Sequence, residues 1–496
     1  MLRSRSRSVQ VGLVVLIVVG GVVPGDFSPS PAAGADQVLQ PVGESLDGES
    51  VGDFTGSAVV MSADGTRIAF GSPGSDADGV GDWAGRVRVF DWNGAGWVQV
   101  GDSIDGNGAH DFAGSALAMS ANGARIAVGY VPDRWFYDVA SGDEVGRVRV
   151  FDWDGSTWVQ VGDAIEGEAP GDRTGSAVAM SADGGRIAVG APQSDADGVG
   201  QSAGRVRVFE WESAAWAQVG ANLDGERMHD WQGTAVAFSA DGDRLAVGAD
   251  QANDTAGRVR IYDWNDGWTQ VGSDIGCEES DPCWSLDVAL GTSLAFSSDG
   301  LTLAVGGQET VPAELGDDVI WVFRWDGSDW VQIGSESDPL DNGYVEVAIS
   351  ADGSRVAIGV ARASGTANTY GPGQARVYDW DGAAWQAVVQ IIGGDGDRTG
   401  QAMAMSADGS LVAVGSPGEA DQTGTVRVYA LVDSPPTSST VAATSTTMGP
   451  QTPPGGTLPG TGSNGGMAAV AALLVLAGAV MVAGARRRLT CRRRAG

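Results

Sequence analysis

The residues of this sequence that could do chemistry are almost all carboxylates, and many recur at regular spacing. One aspartate position recurs six times, each time three residues before a glycine or the residue aligned with it: Asp53, Asp111, Asp172, Asp230, Asp341 and Asp397. Aspartates in turns often accept hydrogen bonds from nearby backbone N–H groups. The same carboxylates could instead form a ring on one face that captures a cation or another ligand, and both interpretations stay open.

Other catalytic constellations are scarce. The chain has two histidines, His110 and His229, in equivalent loop positions, and neither lies near a serine or cysteine that stands out. A repeated Ser-Ala-Asp-Gly tetrad looks like a sialidase-type Asp box, but the spacing differs and the closing aromatic residue is missing. Paired carboxylates for glycoside cleavage stay open as an alternative. Repetition argues against them, because an active site usually breaks the pattern in one unit.

The charge of the chain limits its partners. All 30 basic residues are arginines, and residues 36–461 contain 21 Arg against 62 Asp and Glu, a net charge of −41. Such a body repels nucleic acid and anionic membrane surfaces, so neither is expected as a partner. The charge is typical of a large soluble surface, with cation capture as the minor alternative.

The N-terminus has the order of a secretory signal. Arg3, Arg5 and Arg7 precede an apolar run over 11–23, and small residues lead to Ala35. This pattern predicts a signal peptide over 1–35 that is cleaved after Ala35. The apolar run is too short to indicate a membrane span.

The C-terminus has the pattern of a second targeting signal. A Pro/Ser/Thr-rich linker (433–457) leads to the sequence LPGTG, an uncharged stretch (467–485) and an Arg-rich tail (486–496). Nineteen helical residues at about 1.5 Å each nearly span a membrane, and the arginines mark the cytoplasmic side. This order resembles the cell-wall sorting signal of Gram-positive surface proteins, with an LPxTG motif at Leu458, Pro459, Gly460, Thr461 and Gly462.

The resemblance to sorting signals implies two partners at the C-terminus. A sortase would cut between Thr461 and Gly462 and attach the protein to peptidoglycan, and the membrane would be contacted through the 467–485 helix before cleavage. A plain C-terminal membrane anchor is the alternative. Either outcome places the body outside the cell, in the cell wall or at the surface of a Gram-positive-type bacterium. In that oxidising location Cys277 and Cys283 are expected to form a disulfide, whereas Cys491 stays free.

Seven repeated units decide the fold class. The third residue of the tetrad recurs at spacings of 53 to 61 residues: Asp64, Asn122, Asp183, Asp241, Asp299, Asp352 and Asp408. Each unit contains four short apolar or alternating runs that are bounded by Gly, Pro and Asp, which predicts four strands and no helix. Four antiparallel strands repeated seven times predict an all-β, seven-bladed β-propeller over 36–432.

The first and last segments of this body complement each other. The seventh unit stops after its third strand, and residues 38–47 match the missing fourth strand of the other units. We therefore expect the N-terminal strand to complete the last blade and close the ring.

The repeat, read as AVAMSADG, RIAVGAP and GRVRVF, resembles the FG-GAP repeats of integrin α-subunit propellers and bacterial surface proteins. The resemblance covers about 38–430, and its Gly-Ala-Pro element is present at 190–192, but the Phe of the Phe-Gly element is absent. The family often carries calcium loops between strands two and three. That comparison makes calcium the one candidate cofactor, with ligands at Asp76, Asp78, Asp195 and Asp197, although two carboxylates per loop fall short of a full calcium motif.

Tryptophans and arginines are the other repeated side chains. Six tryptophans end strand three and six begin strand four: Trp92, Trp153, Trp211, Trp264, Trp325 and Trp380, then Trp97, Trp158, Trp216, Trp268, Trp330 and Trp385. We expect each pair to pack across its hairpin, with an exposed sugar-stacking rim as the alternative. Arginines on the same strand face are expected to stack and form ion pairs between blades: Arg86, Arg88, Arg147, Arg149, Arg205, Arg207, Arg258 and Arg260.

Together these patterns predict a wall-anchored extracellular protein whose propeller is a binding or adhesion module and not an enzyme. The expected ligand is an extracellular glycan or protein, which the sequence does not name. A secreted enzyme acting on polysaccharide and a structural surface-layer component are the alternatives. The least repetitive segments, 130–146 and 277–290, are expected at the edge of any ligand site.

Overall fold

The computed structural model describes residues 37–433 except 78, 132–144, 197, 254, 277–288, 308–317, 339–342 and 363–370. The chain divides into two compact units, 1–434 and 435–496, and the second lies outside the described residues. Several predicted features also lie outside the described residues: the cleavage after Ala35, the sortase motif at 458–462, a helix over 467–485, a disulfide between Cys277 and Cys283, and ligand roles of Asp78, Asp197 and Asp341. No helix of the described part is long and apolar enough to span a membrane.

Seven antiparallel sheets, numbered here as blades one to seven from the blade that contains Asp64, confirm the predicted propeller. The first strands are Ala58–Met61, Ala113–Met119, Ala177–Met180, Val236–Phe238, Ser293–Phe296, Gly343–Ile349 and Ala402–Met405. The second strands are Arg67–Ser72, Arg125–Tyr130, Arg186–Ala191, Arg244–Ala249, Thr302–Gly306, Arg355–Arg362 and Leu411–Ser416.

The outer half of each blade consists of the third and fourth strands. The third strands are Arg86–Trp92, Arg147–Trp153, Arg205–Glu212, Arg258–Trp264, Asp318–Trp325, Gln374–Trp380 and Thr425–Asp433. The fourth strands are Trp97–Gln99, Trp158–Gln160, Ala215–Gln218, Trp268–Gln270, Trp330–Asp338, Trp385–Ile392 and, in blade seven, Gln37–Pro41. The one described helical segment, Glu419–Gln422, is a single turn in which Ala420 and Asp421 have positive φ.

The fourth strand is interrupted in five blades, which the sequence did not predict. A two-residue continuation pairs with the start of strand three at Leu46–Asp47, Ile104–Asp105, Ile165–Glu166, Leu223–Asp224 and Ile275–Gly276. The break follows a glycine in the left-handed region, such as Gly101 with φ of 71°. A Cβ on Gly101 would lie 2.7 Å from Trp153 of the next blade, so both the turn and the packing require glycine here.

The first strands form the inner ring. The N–H of Ala63 in blade one donates to the carbonyl of Ala121 in blade two, and equivalent bonds of 2.8–3.1 Å continue until Ala407 of blade seven donates to Ala63. These residues lie in the Asp-Gly turns, and at this end of the channel seven peptide groups about 5 Å apart enclose an opening of roughly 11 Å between backbone centres. After van der Waals radii are subtracted, a free width of about 7 Å remains.

The hydrophobic core lies between neighbouring blades. Seven clusters of buried side chains each join adjacent sheets, as where Val206 and Val208 of blade three pack with Val236, Leu245 and Tyr262 of blade four. The blades also approach closely, because a Cβ on the glycine of the Gly-Ala-Pro element would collide with the next blade. In blade three this residue is Gly190, and its added Cβ would lie 2.1 Å from the carbonyl oxygen of Gly233.

The N-terminal strand closes the ring as predicted. Gln37–Pro41 pairs antiparallel with Thr425–Asp433, from Gln37 opposite Asp433 to Pro41 opposite Tyr429. Leu46 and Asp47 continue the pairing opposite Val426 and Thr425. The buried Leu46 packs in the cluster between blades seven and one, so closure adds both hydrogen bonds and core contacts.

Candidate binding face

The strand directions divide the propeller into two faces. The Asp-Gly turns after the first strands and the Trp hairpins after the third strands lie at one end, called here the Asp-Gly face. The loops between strands two and three and the connections between blades lie at the other end, called here the loop face. Gln37 and Asp433 pair at the Asp-Gly face, so both ends of the described chain lie there.

The loop face is where the repeat varies. The strands that flank 132–144, 308–317 and 363–370 end on this face, as do those that flank 277–288 and 339–342. These segments lie outside the described residues. The predicted site edges at 130–146 and 277–290 are therefore described only at their ends, where Tyr130 and Leu290 are buried in the core.

The repeated aspartates of the blade connections cap their own turns. Asp53 Oδ2 accepts hydrogen bonds from the N–H groups of Glu49 at 2.8 Å and Ser50 at 2.9 Å. The same arrangement recurs at Asp111, Asp172 and Asp230, and Asp397 accepts from one such group. Burial raises the pKa of both Asp172 and Asp397. The described carboxylates are engaged with backbone, and the capture of a ligand by this ring stays a prediction.

The strand-three arginines fasten these connections to the blades. Arg86 contacts Asp105 of its own blade at 2.8 Å and Glu49 of the preceding connection at 2.5 Å. Arg258 contacts the buried Asp230 at 3.0 Å. The strand-three arginines therefore form ion pairs within their blade and with the connection that precedes it, not with a neighbouring blade as predicted, and they neutralise part of the acidic loop face.

The tryptophan pairs pack across their hairpins as expected, but their cationic partners differ from the prediction. The six pairs have ring centroids 5.0–5.4 Å apart. The guanidinium of Arg125, the first residue of strand two in blade two, lies 5.4 Å and 5.5 Å from the rings of Trp211 and Trp216 in blade three. Four of the strand-three arginines instead lie near phenylalanine or tyrosine rings: Arg88, Arg147, Arg149 and Arg207.

The two candidate calcium loops have the same turn. Asp76 Oδ1 accepts from the N–H of Trp83 at 2.9 Å, and Asp195 Oδ1 accepts from the N–H of Ser202 at 2.8 Å. Among the described residues no group of three His, Cys, Asp or Glu side chains could hold a metal ion. Because the second aspartate of each loop is not described, calcium binding stays a prediction.

Aromatic residues that the sequence analysis did not single out also lie on the loop face. Phe54 and Trp83 have ring centroids 6.0 Å apart, and Trp83 lies 5.5 Å from Phe112 in the next blade. The guanidinium of Arg398 in blade seven lies 5.9 Å from the Phe54 ring. All four residues have positive φ, a conformation that is costly for bulky side chains. This cluster lies across the junctions of blades seven, one and two.

One inner-strand residue breaks the sevenfold pattern. Four residues before the tetrad serine, the first strands carry a small side chain in six blades and Glu346 in blade six. The Glu346 side chain is partly accessible to solvent. Burial raises the pKa of its carboxyl to about 7, and a hydrogen bond from Ser293 opposes this rise. Aligning the units on the tetrad would have revealed this residue from the sequence.

A pocket of about 290 Å³ lies at the outer rim of the propeller, between the interrupted outer strand of blade two and the outer half of blade three. It is lined by Asp163, Glu166, Arg207, Phe209 and Trp216 among others. It occupies the break in the outer strand, and that break recurs in other blades. The pocket is therefore a product of the repeat architecture.

No family model and no curated protein matches the chain. Solved structures match it at low identity, among them a provisionally named 6-phosphogluconolactonase from Bacteroides uniformis. That structure is 15% identical and covers 68% of this chain and 86% of its own, with a TM-score of 0.46. The Dos1 propeller is 14% identical and covers 79% and 95%, also with a TM-score of 0.46. These likenesses carry no functional argument.

Proposed function

We propose that this chain is a cell-wall-anchored extracellular protein whose propeller is a binding module and whose loop face meets the ligand. The observation that carries the proposal is the position of the two ends of the described chain. Gln37 and Asp433 pair at the Asp-Gly face, and the 433–457 linker begins there. A tether that leaves from the Asp-Gly face keeps the loop face free for an extracellular glycan or protein.

The division of roles between repeated and unique residues supports the same proposal. The repeated aspartates, arginines and tryptophans are engaged in caps, ion pairs and blade packing. Specific recognition must therefore come from residues that vary, and those segments join strands that end on the loop face. We include in the proposal a kinship with FG-GAP repeat proteins, which the tetrad and the Gly-Ala-Pro element support.

Cell fractionation tests the anchoring half. Thr461→Ala removes the threonine at the expected sortase cut. We expect the unmodified protein to be released with wall fragments by a muralytic enzyme, and the variant to stay with the membrane. Thr457→Ala, in the adjacent linker, is the matched control and should behave like the unmodified protein. Equal membrane retention of all three forms would contradict wall attachment.

A glycan and host-matrix array tests the binding half. The full chain is applied once with calcium and once with a chelator. Binding supports the module, and binding that needs calcium assigns a role to the loops of Asp76 and Asp195. Exchange of 130–146 or 277–290 for a consensus loop should reduce that binding. Absence of binding in both conditions would contradict the proposal.

A further inference from the structure

Glu346 occupies a position at which the other blades carry only small side chains. The aligned residues are Ala58, Ala116, Ala177, Ala235, Ser293 and Ala402. Structural roles in this protein repeat from blade to blade, as the caps and arginine contacts show. A single large acidic residue in the inner ring serves no repeated packing purpose, so its role must be specific to this site.

The geometry directs this carboxyl into the channel. Glu346 pairs with Gly359, and directly opposed residues of an antiparallel pair share one face of the sheet. A Cβ on Gly359 would lie 1.9 Å from the carbonyl oxygen of Gly400 in blade seven. Beside Glu346 the backbone of blade seven therefore approaches closely, and this favours a carboxyl position toward the channel axis.

The contact between Glu346 and Ser293 of blade five also places the Glu346 carboxyl beside the channel. Ser293 Oγ accepts a hydrogen bond of 3.1 Å from the N–H of Val347, and it also hydrogen bonds to the Glu346 carboxyl. Blade five lies on the opposite side of blade six from Gly400. The Glu346 side chain leaves its strand on the side of blade seven, whereas Ser293 lies on the side of blade five. To contact Ser293, the side chain must pass around the edge of the strand that borders the channel.

The level of Glu346 in the channel is near the loop face. The first strand of blade six runs from Gly343 at the loop face to Ile349 at the Asp-Gly face. In blades one, three, five and seven the first strand begins at the residue aligned with Glu346, so Glu346 lies level with the loop-face ends of those four strands. A ligand that docks on the loop face can reach it with a narrow group.

The carboxyl has no cationic partner among the described residues. The interaction that it makes is with the neutral Ser293 hydroxyl, whereas the other loop-face carboxylates named above pair with arginines or cap backbone. A carboxylate removed from bulk water without a counter-ion is unfavourable, and a bound cation would relieve that cost. The net charge of −41 over residues 36–461 raises the local concentration of cations at the opening.

We propose that the loop-face mouth of the channel binds a ligand through a primary ammonium group, with the Glu346 carboxylate as its anionic anchor. An ammonium group can donate to both the Glu346 carboxylate and the Ser293 hydroxyl. Amino sugars and polyamines both carry this group. The inference rests on the proposed binding role of the loop face and names the chemistry of its ligand.

Calorimetric titration of the full chain in a nonionic detergent tests this inference. The probes are the glucosamine trisaccharide, its N-acetylated form, which lacks the ammonium groups, and spermidine. We expect at least one amine probe to bind, and the acetylated sugar to bind at least tenfold more weakly than the amino sugar if the sugar is the source. Glu346→Gln should weaken amine binding at least tenfold, and Glu346→Ala, the residue of most other blades, should act in the same way.

Glu212→Gln is the matched control, because it removes one exposed carboxylate at the outer edge of blade three and should leave binding unchanged. Equal binding to the unmodified chain and to both Glu346 variants would overturn the inference, because it would reflect general attraction to an acidic surface. Failure of every amine probe to bind would also overturn it. A positive array result with another ligand would then still support the proposed function.

Discussion

The aspartate of the Ser-Ala-Asp-Gly tetrad is a turn-forming residue. Asp183 Oδ1 accepts from Ser181 Oγ at 2.7 Å and from the N–H of Gly185 at 2.8 Å, and the serine hydrogen bond lowers the pKa of Asp183. In blade two Asn122 makes the same contacts with Ser120 and Ala124. A neutral amide oxygen therefore satisfies the turn.

This comparison predicts different effects of two substitutions at one position. Asp183→Ala leaves Ser181 Oγ and one N–H without their acceptor and should cost about 1–2 kcal/mol of unfolding free energy. Asp183→Asn should cost less than about 0.5 kcal/mol of unfolding free energy, because Asn122 accepts the same two hydrogen bonds in blade two. Urea denaturation monitored by tryptophan fluorescence measures both. An asparagine variant as unstable as the alanine variant would show that the charge matters.

The raised pKa of Glu346 predicts a stability that depends on pH. The folded state holds this proton up to a pKa of about 7, above the ordinary glutamate value of 4.5, so the folded state binds more protons than the unfolded state in that window. Ionisation therefore destabilises the native chain as pH rises from about 4.5 to about 7. The Glu346→Gln variant does not titrate there, so its Tm advantage should grow over this window.

Scanning calorimetry in amine-free buffer measures this Tm difference at pH 4, 6 and 8. We expect it to be smallest at pH 4 and largest at pH 8, and absent for Glu212→Gln at every pH. A difference that is constant with pH would contradict the placement of Glu346 in a poorly solvated part of the channel.

At the scale of elements, strand-two arginines connect neighbouring blades. Arg125 forms a two-point contact with Asp152 at 2.6 Å and 2.7 Å, and it donates to the carbonyl of Gly184 in blade three at 2.8 Å. Equivalent arginines are Arg67, Arg186, Arg244 and Arg355. Blades five and seven carry Thr302 and Leu411 at this position, so the connection is a repeated but not universal feature.

Arg125→Ala should destabilise the propeller by about 2–3 kcal/mol, because it removes the carboxylate contact, the bond to the next blade and the stacking on two tryptophans. Arg125→Lys should recover less than half of that loss, since lysine lacks the planar fork. The exposed Arg227→Ala is the control and should change stability by less than about 0.5 kcal/mol. Chemical denaturation of the three variants provides the test, and full rescue by lysine would contradict a role for guanidinium geometry.

The elements themselves followed from the sequence, but contacts between them did not. The Asp-Gly turns and alternating runs predicted all four strands, because hairpin signals are local. The stacking of Arg125 on Trp211 and Trp216 depends on the twist that brings one blade against the next, and the sequence analysis assigned this role to Arg147 and Arg149. The interruption of the outer strand at Gly101 was likewise missed, because the packing of Gly101 against Trp153 joins two different blades.

At the scale of the whole molecule, repeat number and closure were predictable because they depend on counting units. Closure was predicted from two features: the seventh unit lacks a fourth strand, and residues 38–47 match that missing strand. The candidate site around Glu346 was harder to predict from the sequence. Glu346 is conspicuous only when the seven inner strands are aligned, and its enclosure comes from Gly400 and Ser293 in two other blades.

The central claim is that the strand Gln37–Pro41 closes the ring and places both ends of the described chain, Gln37 and Asp433, at the Asp-Gly face. Disulfide trapping with Gln37→Cys and Asp433→Cys in the full chain tests it most directly. These residues are opposed at the end of an antiparallel pair, within disulfide reach. We expect mass spectrometry to find the 37–433 cross-link after mild oxidation, and no 37–212 cross-link in a matched Gln37→Cys/Glu212→Cys variant. Absence of the 37–433 cross-link, or equal cross-linking in both variants, would contradict the closed ring.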